Sequence, residues 1–232
     1  MMIVVLKKKT VFCVVGVLLV LAIAGAVLGA TLSAEKTAAF GQKVIVLDAG
    51  HGGLDRGVIG KNGTVEAEKN LEVAKALEKV LSDAGFFVVM TRTNDKGADE
   101  PAASFKQEDF KKRKATIEKY DPDLVLSVHC NKFPSSDRRG AQVFYNKMSA
   151  EGKIFAGVIQ NALNGLNAEF VGKTFTALDG EYYMLNCTDS PSVIVECGFL
   201  SNPDDEALLN DDAYLSRFVS TVALAVIDYL EK

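Results

Sequence analysis

Residues 43–57 read KVIVLDAGHGGLDRG, and the way this stretch divides decides the fold. Lys43–Asp48 is an apolar run of strand length, and a Gly-rich loop, Gly50–Gly63, follows it. Leu71, Ala74, Leu77, Leu81 and Ala84 then recur at helical spacing up to Gly85, the pattern of a helix with one apolar face. Further along, Phe86–Thr91, Leu124–His129, Ala141–Tyr145 and Ser192–Cys197 read as strands. Asn94–Ser104 is loop-like, and Phe105–Tyr120 is charged enough to be an exposed helix, stopped by Asp121-Pro122. Ile154, Phe155, Val158, Ile159, Ala162, Leu163 and Leu166 mark another amphipathic helix, and a last one starts near Asp212. Strands alternating with helices predict a single α/β domain whose mostly parallel mixed sheet is flanked by helices. In such sheets the working residues gather beyond the carboxyl ends of the strands. His51, His129 and Glu196 all fall at or just past such ends.

The chain has 232 residues, 48% of them hydrophobic and 24% charged, so it is neither disordered nor fibrous. The formal net charge is −4, and beyond residue 34 the balance is 23 basic to 30 acidic residues. That acidity argues against nucleic acid as a partner, because binding it needs clustered Lys and Arg. From Thr10 to Ala34 there are 25 residues without a charge, preceded by Lys7, Lys8 and Lys9. As a helix the run would span roughly 37 Å, more than the hydrocarbon core of a bilayer. Residues 1–34 are therefore expected to be a membrane anchor, or else a signal peptide cleaved near Ala24-Gly25-Ala26. Residues 35–42 read as a linker and 43–232 as the working domain, placed outside the cytoplasm because the lysines stay inside. Cys130, Cys187 and Cys197 are left in that domain. Their number is odd and no CxxC spacing occurs, so they read as small buried hydrophobes.

The chain has only two histidines, His51 and His129. Either one alone could be a hydrogen-bonded structural residue. Two of them at separate strand ends become a metal site if an acidic third ligand is within reach, since His₂Glu plus water is an established open zinc set. Glu66 and Glu68, at the entry of the first helix, are the candidates, and one of them need only be a favourable charge at a helix N-terminus. Position alone does not choose. Glu196 ends one of the most apolar stretches of the chain. A carboxylate there is costly unless paired or partly wet, and near a dication it can serve as a general base. The structural alternative is a salt bridge to Arg92 or Arg113. A Cys–His hydrolase is disfavoured, because Cys130 and His129 are neighbours on a strand and point to opposite faces. No GxSxG elbow or phosphate-binding GxxxxGK[ST] loop is present.

Five motifs now stand in order: LDAGHGG-x-D-x-G (Leu47–Gly57), E-x-E-K-x-L (Glu66–Leu71), M-T-R-x-x-D (Met90–Asp95), S-V-H-x-N (Ser127–Asn131) and V-E-x-G-F-L-S-N-P (Val195–Pro203). Together they resemble the zinc-dependent N-acetylmuramoyl-L-alanine amidases of the amidase-3 type, over about residues 43–231. The resemblance implies one Zn²⁺ held by His51, Glu66 and His129, with Glu196 as the catalytic glutamate. It prefers Glu66 to Glu68 because the family's ligand stands five residues before the helix leucine, here Leu71. It implies cleavage of the amide between N-acetylmuramic acid and L-alanine, with peptidoglycan as substrate. Two positions depart from the pattern: Ala49 replaces the usual Pro, and Glu118 stands where an Asn follows Arg113 in the family. The short chain, the N-terminal apolar run and the motifs MTRTND and GAQVFYNK are most similar to the spore-cortex, germination-specific members. That subgroup implies a role in cortex maturation, where removing peptides prepares muramic acid for lactam formation. Some division-associated relatives insert a plugging helix after the SVHxN strand, and the short segment from Tyr145 to Ile154 leaves no room for one. Some relatives are inactive alone, which leaves an activator protein open as a partner. Two other readings compete, a wall-binding pseudoenzyme and a zinc peptidase acting within the stem peptide.

Overall fold

The structure, a computed structural model, describes residues 41–95 and 105–232. The expected anchor or signal peptide and most of the linker lie outside the described residues, as does most of the Asn94–Ser104 loop. Residues 43–232 form a single α/β domain.

Six strands make one mixed sheet: β1 (Val44–Ala49), β2 (Phe87–Met90), β3 (Leu124–Asn131), β4 (Gln142–Tyr145), β5 (Leu178–Asp179) and β6 (Ser192–Phe199), in the order β2-β1-β3-β6-β4-β5. β2, β1, β3 and β6 are parallel, and β4 runs antiparallel to β6. The helices are α1 (Glu66–Asp83), α2 (Phe105–Tyr120), α3 (Ala150–Phe170), α4 (Pro203–Leu209) and α5 (Asp212–Leu230). A single 3-10 turn, Tyr183–Asn186, precedes β6.

Alternation along the central strands sorts their side chains between two layers. Ile45, Leu47 and Ala49 of β1, Leu124, Leu126, Val128 and Cys130 of β3, and Val193, Val195 and Cys197 of β6 enter one large core with α1, α3 and α5. Val46 and Val125 enter a smaller cluster on the opposite face, with Ile117 of α2 and Met184 of the turn. Asp48, Ser127, His129 and Glu196 therefore share the face covered by α2. His129 and Glu196 are direct cross-strand partners, and the register shifts just beyond them. That irregularity ends the regular pairing at the carboxyl edge, where bulges commonly re-aim side chains.

Helix α5 is long and apolar enough to cross a membrane. Its Phe218, Val222, Ala223 and Val226 are fully buried against the rest of the domain, as in a core helix. Helix α2 forms where the sequence places it but is not a wholly exposed helix, because Arg113 and Ile117 are buried. A fixed arginine explains the difference: its guanidinium reaches into the sheet edge while its neighbours face water.

Candidate metal centre and catalytic cleft

Glu66 opens α1, and the chain turns it inward rather than towards solvent. The residue is 2% exposed. Its Oε2 accepts from the Val58 backbone N–H at 2.8 Å, and Oε1 accepts from the Cys130 N–H at 3.3 Å. His51 Nε2 and His129 Nδ1 each stand 3.1 Å from that same Oε1. One ligand atom from each of the three residues lies within 4.8 Å of the others. Glu68 points away, with a side chain 62% exposed and 3.8 Å from Arg56. The two glutamates left open by position are thus separated by packing.

These donors fit a zinc ion. Zn–N and Zn–O bonds of about 2.0–2.2 Å put tetrahedral ligand atoms roughly 3.3 Å apart, close to the 3.1 Å seen twice. Glycine makes the close approach feasible. A Cβ on Gly50 would run into the His129 ring, and one on Gly57, whose φ is +65°, would meet Glu66 Oε2 at 2.6 Å. Behind His51, Nδ1 is 3.0 Å from Asp55 Oδ2, too oblique for a full hydrogen bond. Burial alone would lower the His51 pKa, but Glu66 and Asp55 outweigh it and raise it.

Two arginines hold the His51 loop by its carbonyl oxygens. Arg92 donates to Ala49 O at 2.7 Å and Gly50 O at 2.9 Å. Arg113 donates to Ala49 O at 2.7 Å and His51 O at 2.6 Å. Neither reaches Glu196, so the salt-bridge alternative for Glu196 falls away. Arg113 also pairs with the fully buried Asp48 at 2.6 Å, while Thr91 and Ser127 donate their hydroxyls to that carboxylate at 2.7 and 2.6 Å. Burial alone would raise the Asp48 pKa. Arg113, Ser127 and Thr91 outweigh it and hold it at about 2.

Glu196 is buried beside the cluster, and its Oε2 has no hydrogen-bond partner among the described residues. Burial pushes its carboxyl up to about 7, against the lowering effect of His129. Such a carboxyl gives up and takes back a proton near neutrality. Asp48 and Asp55 are the site residues that sequence reasoning missed. Both lie inside the LDAGHGG-x-D-x-G stretch, and the signal for Asp48 was a charge at the end of a buried strand. The same cleft is walled by Phe110, Tyr182 and Tyr183.

A family profile described as N-acetylmuramoyl-L-alanine amidase matches residues 45–228, nearly all of this domain. The chain belongs to the amidase-3 family. Its similarity to individual amidase-3 proteins runs the same length. It is 35% identical over 191 residues to the germination-specific N-acetylmuramoyl-L-alanine amidase of Bacillus subtilis, covering 81% of this chain and 79% of that protein. It resembles the structure of the CwlD amidase from Clostridioides difficile in complex with the GerS lipoprotein, with a TM-score of 0.76 and 30% identity over 82% of this chain and 99% of that one. The catalytic domain of the amidase CwlV from Paenibacillus polymyxa gives a TM-score of 0.70 and 28% identity, again over 82% and 99%.

Proposed function

We propose that this amidase cleaves the bond between the lactyl group of N-acetylmuramic acid and L-alanine in peptidoglycan, with His51, Glu66 and His129 as zinc ligands and Glu196 as the catalytic acid–base. The observation that carries the reading is the convergence of three ligand atoms beside a buried, unpartnered carboxylate. A bound Zn²⁺ would polarise the scissile carbonyl and lower the pKa of a coordinated water. Glu196 Oε2 takes the proton of the attacking water and returns it to the departing amine of L-alanine. The raised carboxyl pKa suits both halves of that transfer. Asp55 stands behind the His51 ring as a charge partner, and Arg92 and Arg113 hold its backbone, so the ligand atoms are arranged before substrate arrives.

The relatives support a setting. Likeness to a germination-specific enzyme and to CwlD supports a place in spore-cortex maturation, outside the cytoplasm and either anchored or released by the N-terminal apolar run. The complex of CwlD with a lipoprotein supports a protein activator for this chain as well. Digestion of purified peptidoglycan by the zinc-loaded chain, followed by mass analysis of the fragments, tests the reaction. Free stem peptides with new L-alanine N-termini are expected. Cuts within the stem peptide would make the chain a peptidase, and zinc-dependent binding without turnover, even with an activator protein supplied, would make it a wall-binding pseudoenzyme.

A further inference from the structure

The cleft continues past the metal-ligand cluster, and Tyr182 stands in the walls of two cavities. The first, about 190 Å³, contains His51 and His129. The second, about 290 Å³, is walled by Asn131, Phe133, Arg138, Gln142, Phe144 and other residues beyond Tyr182. Both adjoin the reacting end of the sheet. Asn131 lies two residues beyond His129, and Gln142 is the cross-strand partner of Glu196. Tyr182 packs edge-on to Phe144, with ring centroids 5.4 Å apart, and so separates the two spaces.

Their charges differ. Asp48, Asp55 and Asp109 line the first cavity with Lys106 and Arg113, three acidic groups to two basic ones, and Arg113 is already paired with Asp48 and Asp109. Among the described residues, no carboxylate lines the second. Of its two arginines, Arg139 is committed to Asp204 and Asp205. Arg138 is exposed and lies over the Phe133 ring at 4.5 Å, with no carboxylate partner among the described residues. A guanidinium held over an aromatic ring can still offer N–H groups to a planar carboxylate, with which it forms two parallel hydrogen bonds.

The scissile amide joins a neutral sugar to an acidic peptide, so one side of Glu196 must receive each. We infer that the cavity beyond Tyr182 is the subsite for the acidic stem peptide, with Arg138 pairing the first free carboxylate, on the residue that follows L-alanine. The inference rests on the amidase reading above and assigns the acid-lined cavity to the glycan.

The test compares two muropeptides that differ only at that residue, one with a free carboxylate and one with a carboxamide. The full chain, Arg138→Gln and Arg138→Lys are each assayed for kcat and KM, and binding of the two free peptides is measured separately by calorimetry. The unaltered chain should prefer the acid by about tenfold, mainly through KM, the size of one charge-assisted pair. Arg138→Gln should bring the acid-to-amide ratio close to one, and Arg138→Lys should retain part of it. An unchanged ratio in Arg138→Gln, or equal binding of both peptides by the unaltered chain, overturns the subsite. If neither muropeptide is cut even with an activator protein supplied, but the acidic peptide still binds through Arg138, the amidase reading fails and the subsite stands.

Discussion

His51 holds a φ of +60°, a region that a non-glycine side chain enters at a cost of about 1–3 kcal/mol. Arg92 and Arg113 keep it there by fastening the carbonyls on either side, and the imidazole is aimed at Glu66 as a result. Asp48 anchors Arg113 in turn, so Asp48→Asn should destabilise the domain by roughly 3–5 kcal/mol, as loss of one partner of a buried pair does. Urea unfolding at neutral pH measures it. Because the folded pKa of Asp48 lies at about 2, below its ordinary value of 3.8, its contribution is present above pH 3.8 and lost as pH falls through about 2. In the proposed mechanism Glu196 works as a carboxylate, so turnover should rise as pH increases, with a midpoint no higher than about 7, since a bound dication favours the ionised form. Glu196→Gln should lower turnover by about 10²–10⁴-fold, the usual worth of a general acid–base, while zinc content by atomic absorption stays near one per chain. Gly50→Ala should act oppositely, reducing zinc affinity by forcing the His129 ring aside. The place of both histidines and Glu196 at the carboxyl edge of the sheet was legible in the sequence, because each lies at or just past the end of an apolar run. The choice of Glu66 over Glu68 needed family spacing, and packing gives its cause: one carboxylate turns inward to Val58 and the other meets water. Asp48 was not legible as a hub, because Thr91, Arg113 and Ser127 reach it from three separate elements.

Most of the fold was legible at the level of elements, since the central strands are apolar runs and α1, α3 and α5 each carry an apolar stripe. β5 escaped because two exposed residues leave no pattern. α4 had a signal that went unused, Asn202-Pro203 followed by three acidic residues. Asn202 accepts from the Asp204 and Asp205 N–H groups, caps the helix, and donates to Ser136 O. The helix so fixed presents Asp205 to Gly140 N at 2.6 Å and Phe199 N at 3.0 Å, which ties the end of β6 to the start of β4. Asn202→Ala should therefore cost about 0.5–2 kcal/mol as a lost cap. The same variant should loosen the 132–139 segment, read as faster amide exchange there than in α1.

Across the whole molecule, the ligand cluster sits at the carboxyl edge of the sheet, while the large core under α1, α3 and α5 closes without it. Chelation should abolish hydrolysis yet leave the far-UV circular dichroism nearly unchanged. The melting temperature should fall by several degrees, the stabilisation that a ligand bound only to the native state provides. Loss of helical signal on chelation would mean that the metal is needed to fold the domain. Cys130 and Cys197 follow His129 and Glu196 immediately along their strands, but both thiols open into the core on the opposite side of the sheet. Cadmium or mercury entering the cleft would find nitrogen and oxygen donors and the Met184 thioether, but neither of these two thiolates to trap it, so the enzyme should recover from such exposure when zinc is restored.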